Sequence, residues 1–258
     1  MRCVIPVDLA SFPAGTHTQT LAGPQTGFAC YVLVSRSEPA PPPSELSTLR
    51  ADHLYFAVSG QLSLQLAEHE LTVEPGTLVR VPGGAQHYAW NQGHDDAVYL
   101  EIIAPALSWH ELTAEASPRA PVDLAQLVQK DTRSKVEVSK AGFDYKFLAN
   151  RALGSKDVAI NIATVQPGHQ GPDYHIHTFD QFYFVLRGEL TIDVGFERFE
   201  AGPLSLVVLP AGIIHRQRNE GREAEEHLSI ITPEPAPNRR LDHQIAMPPV
   251  EGLSVTTL

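Results

Sequence analysis

Apolar and polar residues alternate in short runs along most of this chain. Gln61-Leu62-Ser63-Leu64-Gln65-Leu66, Ala159-Ile160-Asn161-Ile162-Ala163-Thr164 and Leu190-Thr191-Ile192-Asp193-Val194 set every second side chain on one face, and Thr77-Leu78-Val79-Arg80-Val81 is rich in β-branched residues. A period of two places one face of a strand on a core and the other in water. The 18 glycines and 21 prolines cut the chain into pieces of strand length, and little in it follows helical spacing. The pattern predicts an all-β protein.

The pattern also repeats. Gly60 pairs with Gly188, Pro82 with Pro210, Gly84 with Gly212, His87 with His215 and Asn91 with Asn219, always 128 residues apart, and the same offset pairs Tyr55 with Tyr183 and Phe56 with Phe184. So many identities of uncommon residue types at one spacing imply a duplication, and each half is expected to be a complete structural unit. Between them, Ala104 to Lys130 reads as a linker in which Val122-Asp123-Leu124-Ala125-Gln126-Leu127-Val128 forms a short helix. The expected domains are therefore 1–115 and 116–258. Pro39 to Pro43 reads as a stiff loop, and Pro233 to Pro249 as an arm that packs on its own barrel or on a partner subunit.

Composition narrows the function classes. Hydrophobic residues are 43% of the chain, enough for a packed core, and no run approaches the roughly 18 apolar residues that span a bilayer. The start, Met1-Arg2-Cys3-Val4-Ile5-Pro6-Val7-Asp8, has proline and an acid where a signal peptide would be apolar, which predicts a cytoplasmic protein with no membrane partner. Lys plus Arg number 19 against 30 Asp plus Glu, a formal net charge of −11, so nucleic acid is excluded as a partner on electrostatic grounds. Exposed strand edges and the C-terminal arm predict a homodimer.

The candidate chemistry lies in the second half. Gly171-Pro172-Asp173-Tyr174-His175-Ile176-His177-Thr178-Phe179-Asp180-Gln181 carries two histidines at i and i+2, which share a strand face, and Gln181 returns to that face after a bend. Pro210-Ala211-Gly212-Ile213-Ile214-His215 brings a third imidazole from a distant strand. The pattern resembles the cupin family, whose first motif runs Gly, His-x-His, Glu, Gly and whose second runs Gly, five residues, Pro-x-Gly-x-x-His-x-x-x-Asn. Pro210, Gly212, His215 and Asn219 fit the second motif, as do Gly76, Pro82, Gly84, His87 and Asn91 in the first half.

The resemblance implies two tandem barrels of jelly-roll type, each with a pocket at its mouth, and one divalent metal ion (Fe, Mn, Ni or Zn) on His175, His177, Gln181 and His215. Two departures stand out. Gly202 precedes Pro210 by eight positions instead of six, as if a hairpin and the following strand had traded two residues. Gln181 stands where most cupins carry Glu, and it leaves the ion's double charge unneutralised, which favours an anionic substrate.

In the first half the 128 offset sets Ser47, Leu49 and His53 where the second has His175, His177 and Gln181. Only His53 and His87 remain there as imidazoles, so that barrel is expected to be metal-free. Alternation from Gln181 points Tyr183 and Val185 towards the pocket, and from His215 it points Gln217 and Asn219 there. Tyr183, Gln217 and His169 are the candidate catalytic residues, His169 as a gate or base just ahead of the motif.

The resemblance implies an enzyme for a small, oxygen-rich, anionic substrate, most readily a dioxygenase-type oxidoreductase like the cupins that act on quercetin, gentisate or acetylacetone. The alternative is a non-redox hydrolase or isomerase. Ureidoglycine aminohydrolases share the two-barrel architecture and a Gln-containing ligand set, but Asp173 stands two before His175 where their motif has Glu; some small cupins that open uronate rings also use Gln. A third reading is a barrel that binds a small ligand without turning it over.

Overall fold

The computed structural model describes residues 3–114, 129–132 and 136–247. Two compact units emerge. One takes in Leu9–Ser134 and Leu148–Val158, the other Met1–Asp8, Lys135–Phe147 and Ala159–Leu258. The expected cut near residue 116 and the expected helix over Val122–Val128 lie outside the described residues; a short helix in the linker region, Trp109–Thr113, is capped by Ser108 and Glu111.

Each unit is built from two antiparallel sheets, the arrangement of a jelly-roll barrel. In the first, six strands run in the order Gln129–Asp131, Thr77–Val81, Asp52–Ser59, Ala97–Ala104, Tyr31–Ser37, His17–Ala22. Its second sheet orders Ser47–Thr48, Gln86–Trp90, Leu62–Leu66 and His69–Val73. The other unit has a seven-stranded sheet centred on Asp180–Arg187, Glu225–Thr232 and Ala159–Val165, and a five-stranded sheet in the order Glu197–Ala201, Leu190–Val194, His215–Arg218, His175–Ile176, His243–Gln244. The alternating runs do what their period requires. Leu62, Leu64 and Leu66 pack with Val79 and Val81 in the first core, and Leu190, Ile192, Val207 and Leu209 pack together in the second.

Several strand pairs repeat exactly. Asp52–Ser59 and Asp180–Arg187, His69–Val73 and Glu197–Ala201, Thr77–Val81 and Ser205–Leu209, and Ala97–Ala104 and Glu225–Thr232 begin and end 128 residues apart. This corrects the expectation of two traded residues. The position equivalent to Gly76 is Leu204, not Gly202: both are left-handed (φ +82° and +60°), and their N–H groups donate to equivalent carbonyls, Ala57 and Val185. The turn needs a positive φ, and a leucine adopts it at a cost of about 1 kcal/mol.

Asn91 and Asn219 also share one task. Asn91 Nδ2 donates to the Ser37 and Asp95 carbonyls at 2.7 and 2.8 Å, and Asn219 Nδ2 to those of Val165 and Glu223 at 2.8 and 2.7 Å. Gly93 and Gly221 donate back to the two side-chain oxygens. Asn219 therefore closes a turn instead of lining the pocket. Val185 likewise lies in the hydrophobic core.

The C-terminal arm packs on its own unit. His243–Gln244 pairs with His175–Ile176, and the Ile245 N–H donates to the Tyr174 carbonyl. Among the described residues no helix is long and apolar enough to cross a membrane.

Candidate metal centre

His175 and His215 face each other as a cross-strand pair, and His177 lies two residues along from His175 on the same face. One ligand atom from each of His175, His177 and His215 falls within 4.8 Å of the others. The ring centroids are 4.3 to 5.0 Å apart.

Backbone carbonyls fix the tautomer of each ring. A carbonyl only accepts, so the nitrogen facing it carries the proton. His175 Nδ1 donates to Asp173 O at 2.6 Å, His177 Nδ1 to Leu241 O at 2.9 Å and His215 Nδ1 to Ile213 O at 3.1 Å. The three Nε2 lone pairs are thereby left bare, and those of His177 and His215 are buried without a partner.

Burial, with His175 and His177 close by, pushes His215 down to about 3. His177 is lowered as well, by burial first, against the opposing hydrogen bond to Leu241. Converging imidazoles of which two, His177 and His215, have buried lone pairs without a partner are costly to keep buried, and the three fit the donor set of a borderline divalent ion. The trio can hold a divalent metal.

A family model described as Cupin domain matches residues 47–103 and 161–231, once in each barrel. The chain is a two-domain cupin. Solved structures agree. A putative glyoxylate-induced protein from Pseudomonas aeruginosa is 17% identical with a TM-score of 0.68, covering 96% of this chain and 91% of that one. Protein Ylba from E. coli is 11% identical with a TM-score of 0.67, covering 88% and 86%. A variant of Bacillus subtilis oxalate decarboxylase is 13% identical with a TM-score of 0.68, covering 95% and 79%. No curated protein matches the sequence.

In the second cupin domain an inner cleft of about 110 Å3 is lined by His175 and His177 of the trio. Gln181 lines it, with Nε2 donating to Ser229 Oγ at 2.9 Å and Oε1 accepting from Tyr183 O–H at 3.2 Å. This orients the amide and leaves Oε1 a second lone pair. Tyr183 is in the cleft wall and Gln217 beside it, with the Gln217 Oε1 buried and unpartnered. Burial, then the charges of Asp242 and Glu225, raise the Tyr183 phenol well above its ordinary value, so it remains a donor. His169 is not among the residues lining the cleft. It is exposed on the wall of an adjoining cavity of about 570 Å3 that shares Phe143, Tyr145, Pro172 and Asp242 with the cleft.

Three contributors escape a reading of the sequence. Leu241 supplies a backbone carbonyl to His177, and no side-chain pattern announces a carbonyl. Phe143, Tyr145 and Phe147 form an aromatic wall along one strand face. The third is His227, a fully buried cleft residue whose Nδ1 lies 2.9 and 3.0 Å from the two oxygens of Glu225, itself 0% exposed. Its Nε2 is buried without a partner. Glu225, His227 and Ser229 stand at i, i+2 and i+4, an alternation that marks one strand face in the sequence.

Proposed function

We propose that the second cupin domain is a metal-dependent enzyme site that moves a proton on a small, anionic, oxygen-rich substrate, with His227 as the base. The observation that carries this reading is the Glu225–His227 pair beside the histidine trio. A carboxylate accepts the Nδ1 proton, so Nε2 is the basic nitrogen, and the carboxylate then stabilises the imidazolium that forms when Nε2 takes a proton. A divalent ion on His175, His177, His215 and Gln181 would supply Lewis acidity and a positive charge for substrate oxygens.

The chain's own residues account for the rest of the step. Tyr183 and Ser229 hold the Gln181 amide in one orientation, so its oxygen completes the ligand set. Gln217 Oε1 lacks a donor, which a substrate hydroxyl would provide. Phe143, Tyr145 and Phe147 exclude water from one side, and that strengthens electrostatics in the cleft. The ligands are all neutral, so the ion keeps its charge for an anion. Oxalate decarboxylase from B. subtilis, similar in fold, is described with Mn(II) centres, which makes manganese the first metal to load and oxalate the first anion to bind.

We favour proton transfer over the oxygenase-type expectation because the buried His227 lines the cleft beside Glu225. The test is deuterium incorporation next to the carboxylate of small 2-oxo and 2-hydroxy acids in D2O, with oxygen uptake followed in parallel. The expected result is metal-dependent exchange without oxygen uptake, reduced at least 100-fold in His227→Gln, on the scale of a lost general base. Oxygen consumption matched to substrate loss, with His227→Gln at the wild-type rate, would restore the oxygenase.

A further inference from the structure

The first cupin domain has a cavity of its own, about 600 Å3, within the range of small-molecule sites. Leu33, Leu49, Ala89 and Ile103 give it an apolar wall, and Trp109 lines it while remaining 64% exposed. At its polar end a hydrogen-bonded chain runs from Ser35 through Glu101 and His53 to His87, at 2.5, 2.9 and 3.1 Å.

The protons of this chain can be counted. His87 Nδ1 lies 2.9 Å from the Ala85 carbonyl and must donate to it. Burial, with His53 beside it, pushes His87 down to about 4, so its Nε2 is bare and His53 Nδ1 carries the proton between them. Burial alone would raise Glu101, but hydrogen bonds and charge from His53, with Ser35, hold it below the usual carboxylate range. His53 Nδ1–H is committed to His87, and the one proton between His53 Nε2 and Glu101 Oε2 leaves that pair without net charge whichever atom holds it. Tyr55 O, 3.0 Å from His53 Nδ1, accepts a share of that same N–H, which leaves the Tyr55 O–H proton uncommitted at the cavity.

We propose that this cavity binds a neutral, planar aromatic molecule bearing a carbonyl oxygen, with Tyr55 O–H donating to that oxygen and the ring lying among Leu49, Ala89, Ile103 and Trp109. A chamber with one apolar wall, hydroxyl groups and a His53–Glu101 pair without net charge disfavours an anion, which would give up its hydration without gaining a cation. This is the opposite preference to the metal cleft. The two domains then take two different classes of ligand.

The test is calorimetric titration of the full chain with acetophenone, and with benzoate as the anion of the same ring. One saturable acetophenone site per chain is expected, unchanged in His215→Ala, at least tenfold weaker in Tyr55→Phe and lost in Ala89→Phe. In the His215→Ala background benzoate should bind at least tenfold more weakly than acetophenone. Tyr55→Phe keeps the ring in the core, so it remains a valid probe even if Ala89→Phe does not fold. Absence of saturable binding, equal affinity for benzoate, or an affinity that Tyr55→Phe leaves at the wild-type value would overturn the proposal.

Discussion

The two barrels use one backbone to make opposite interiors. His175, His177 and Gln181 in the second are replaced by Ser47, Leu49 and His53 in the first, while His215 and His87 occupy the same place. The acid has moved along its strand as well: Glu225 and Ser229 correspond to Ala97 and Glu101. In the second barrel the His215 Nε2 is buried and unpartnered; in the first its equivalent already accepts from His53. A histidine in the second cupin motif is thus no evidence of a metal by itself. What decides is whether its free lone pair meets others or meets a proton.

The sharpest way to break this comparison is to remove the equivalent histidines in turn. His215→Ala should take divalent metal from about one equivalent per chain to none measurable by elemental analysis after manganese loading, because two imidazoles and an amide hold an ion poorly. His87→Ala should leave the metal content untouched. Equal metal loss in both variants would mean that the first barrel also contributes to binding.

The next largest effect tests what the barrels share. Asn219→Ala and Asn91→Ala each delete two donors and one acceptor from a buried turn, a loss of about 3 kcal/mol at typical values for buried hydrogen bonds. Urea unfolding should report similar losses for the two. A loss confined to one would show that the repeated geometry does not carry repeated energetics.

These positions also show what was legible in the sequence. Gly60, Pro82, Gly84 and Asn91 recur at 128 because tight turns restrict their residue types, and they exposed the duplication and the barrel type. Gly76 misled, since matching glycine to glycine selected Gly202 when the structure conserves a dihedral angle, now held by Leu204. The trio was legible because two of its members stand at i and i+2, at and just past the short strand His175–Ile176. The Leu241 carbonyl and the fold-back of the arm were not, because a backbone contact over 64 residues depends on chain path and leaves no side-chain signature. His227 falls between these cases: its alternation with Glu225 and Ser229 was visible, but the face it lies on was not.

Gln181→Glu sharpens the comparison on the electrostatic side. The substitution adds a negative charge to a neutral ligand set, so the metal should be held more tightly while oxalate binds about tenfold more weakly to the manganese-loaded protein, a change of about 1.4 kcal/mol. Calorimetric titration with oxalate checks it. His53→Gln, the reverse exchange in the first barrel, should leave oxalate affinity unchanged. If Gln181→Glu does not alter oxalate binding, the amide oxygen is not a ligand, and its bonds to Ser229 and Tyr183 are its whole role.

The smallest effect concerns the proton chain of the first barrel. His87 is lowered in the folded protein from 6.5 to about 4 by burial and by His53. The unfolded chain therefore binds a proton at a pH where the folded one does not. By linkage, this histidine costs nothing above about pH 6.5, and stability falls as pH drops from there towards 4. Between about pH 7 and about pH 5.5 the loss is about 1 kcal/mol. Histidines of the metal centre add slopes of their own, so the readout is a difference: wild type and His87→Gln, both manganese-loaded, compared by urea unfolding across that window. His87→Gln should show the shallower fall. Identical slopes would mean that His87 binds protons alike in the folded and unfolded chains, so that neither burial nor His53 lowers it.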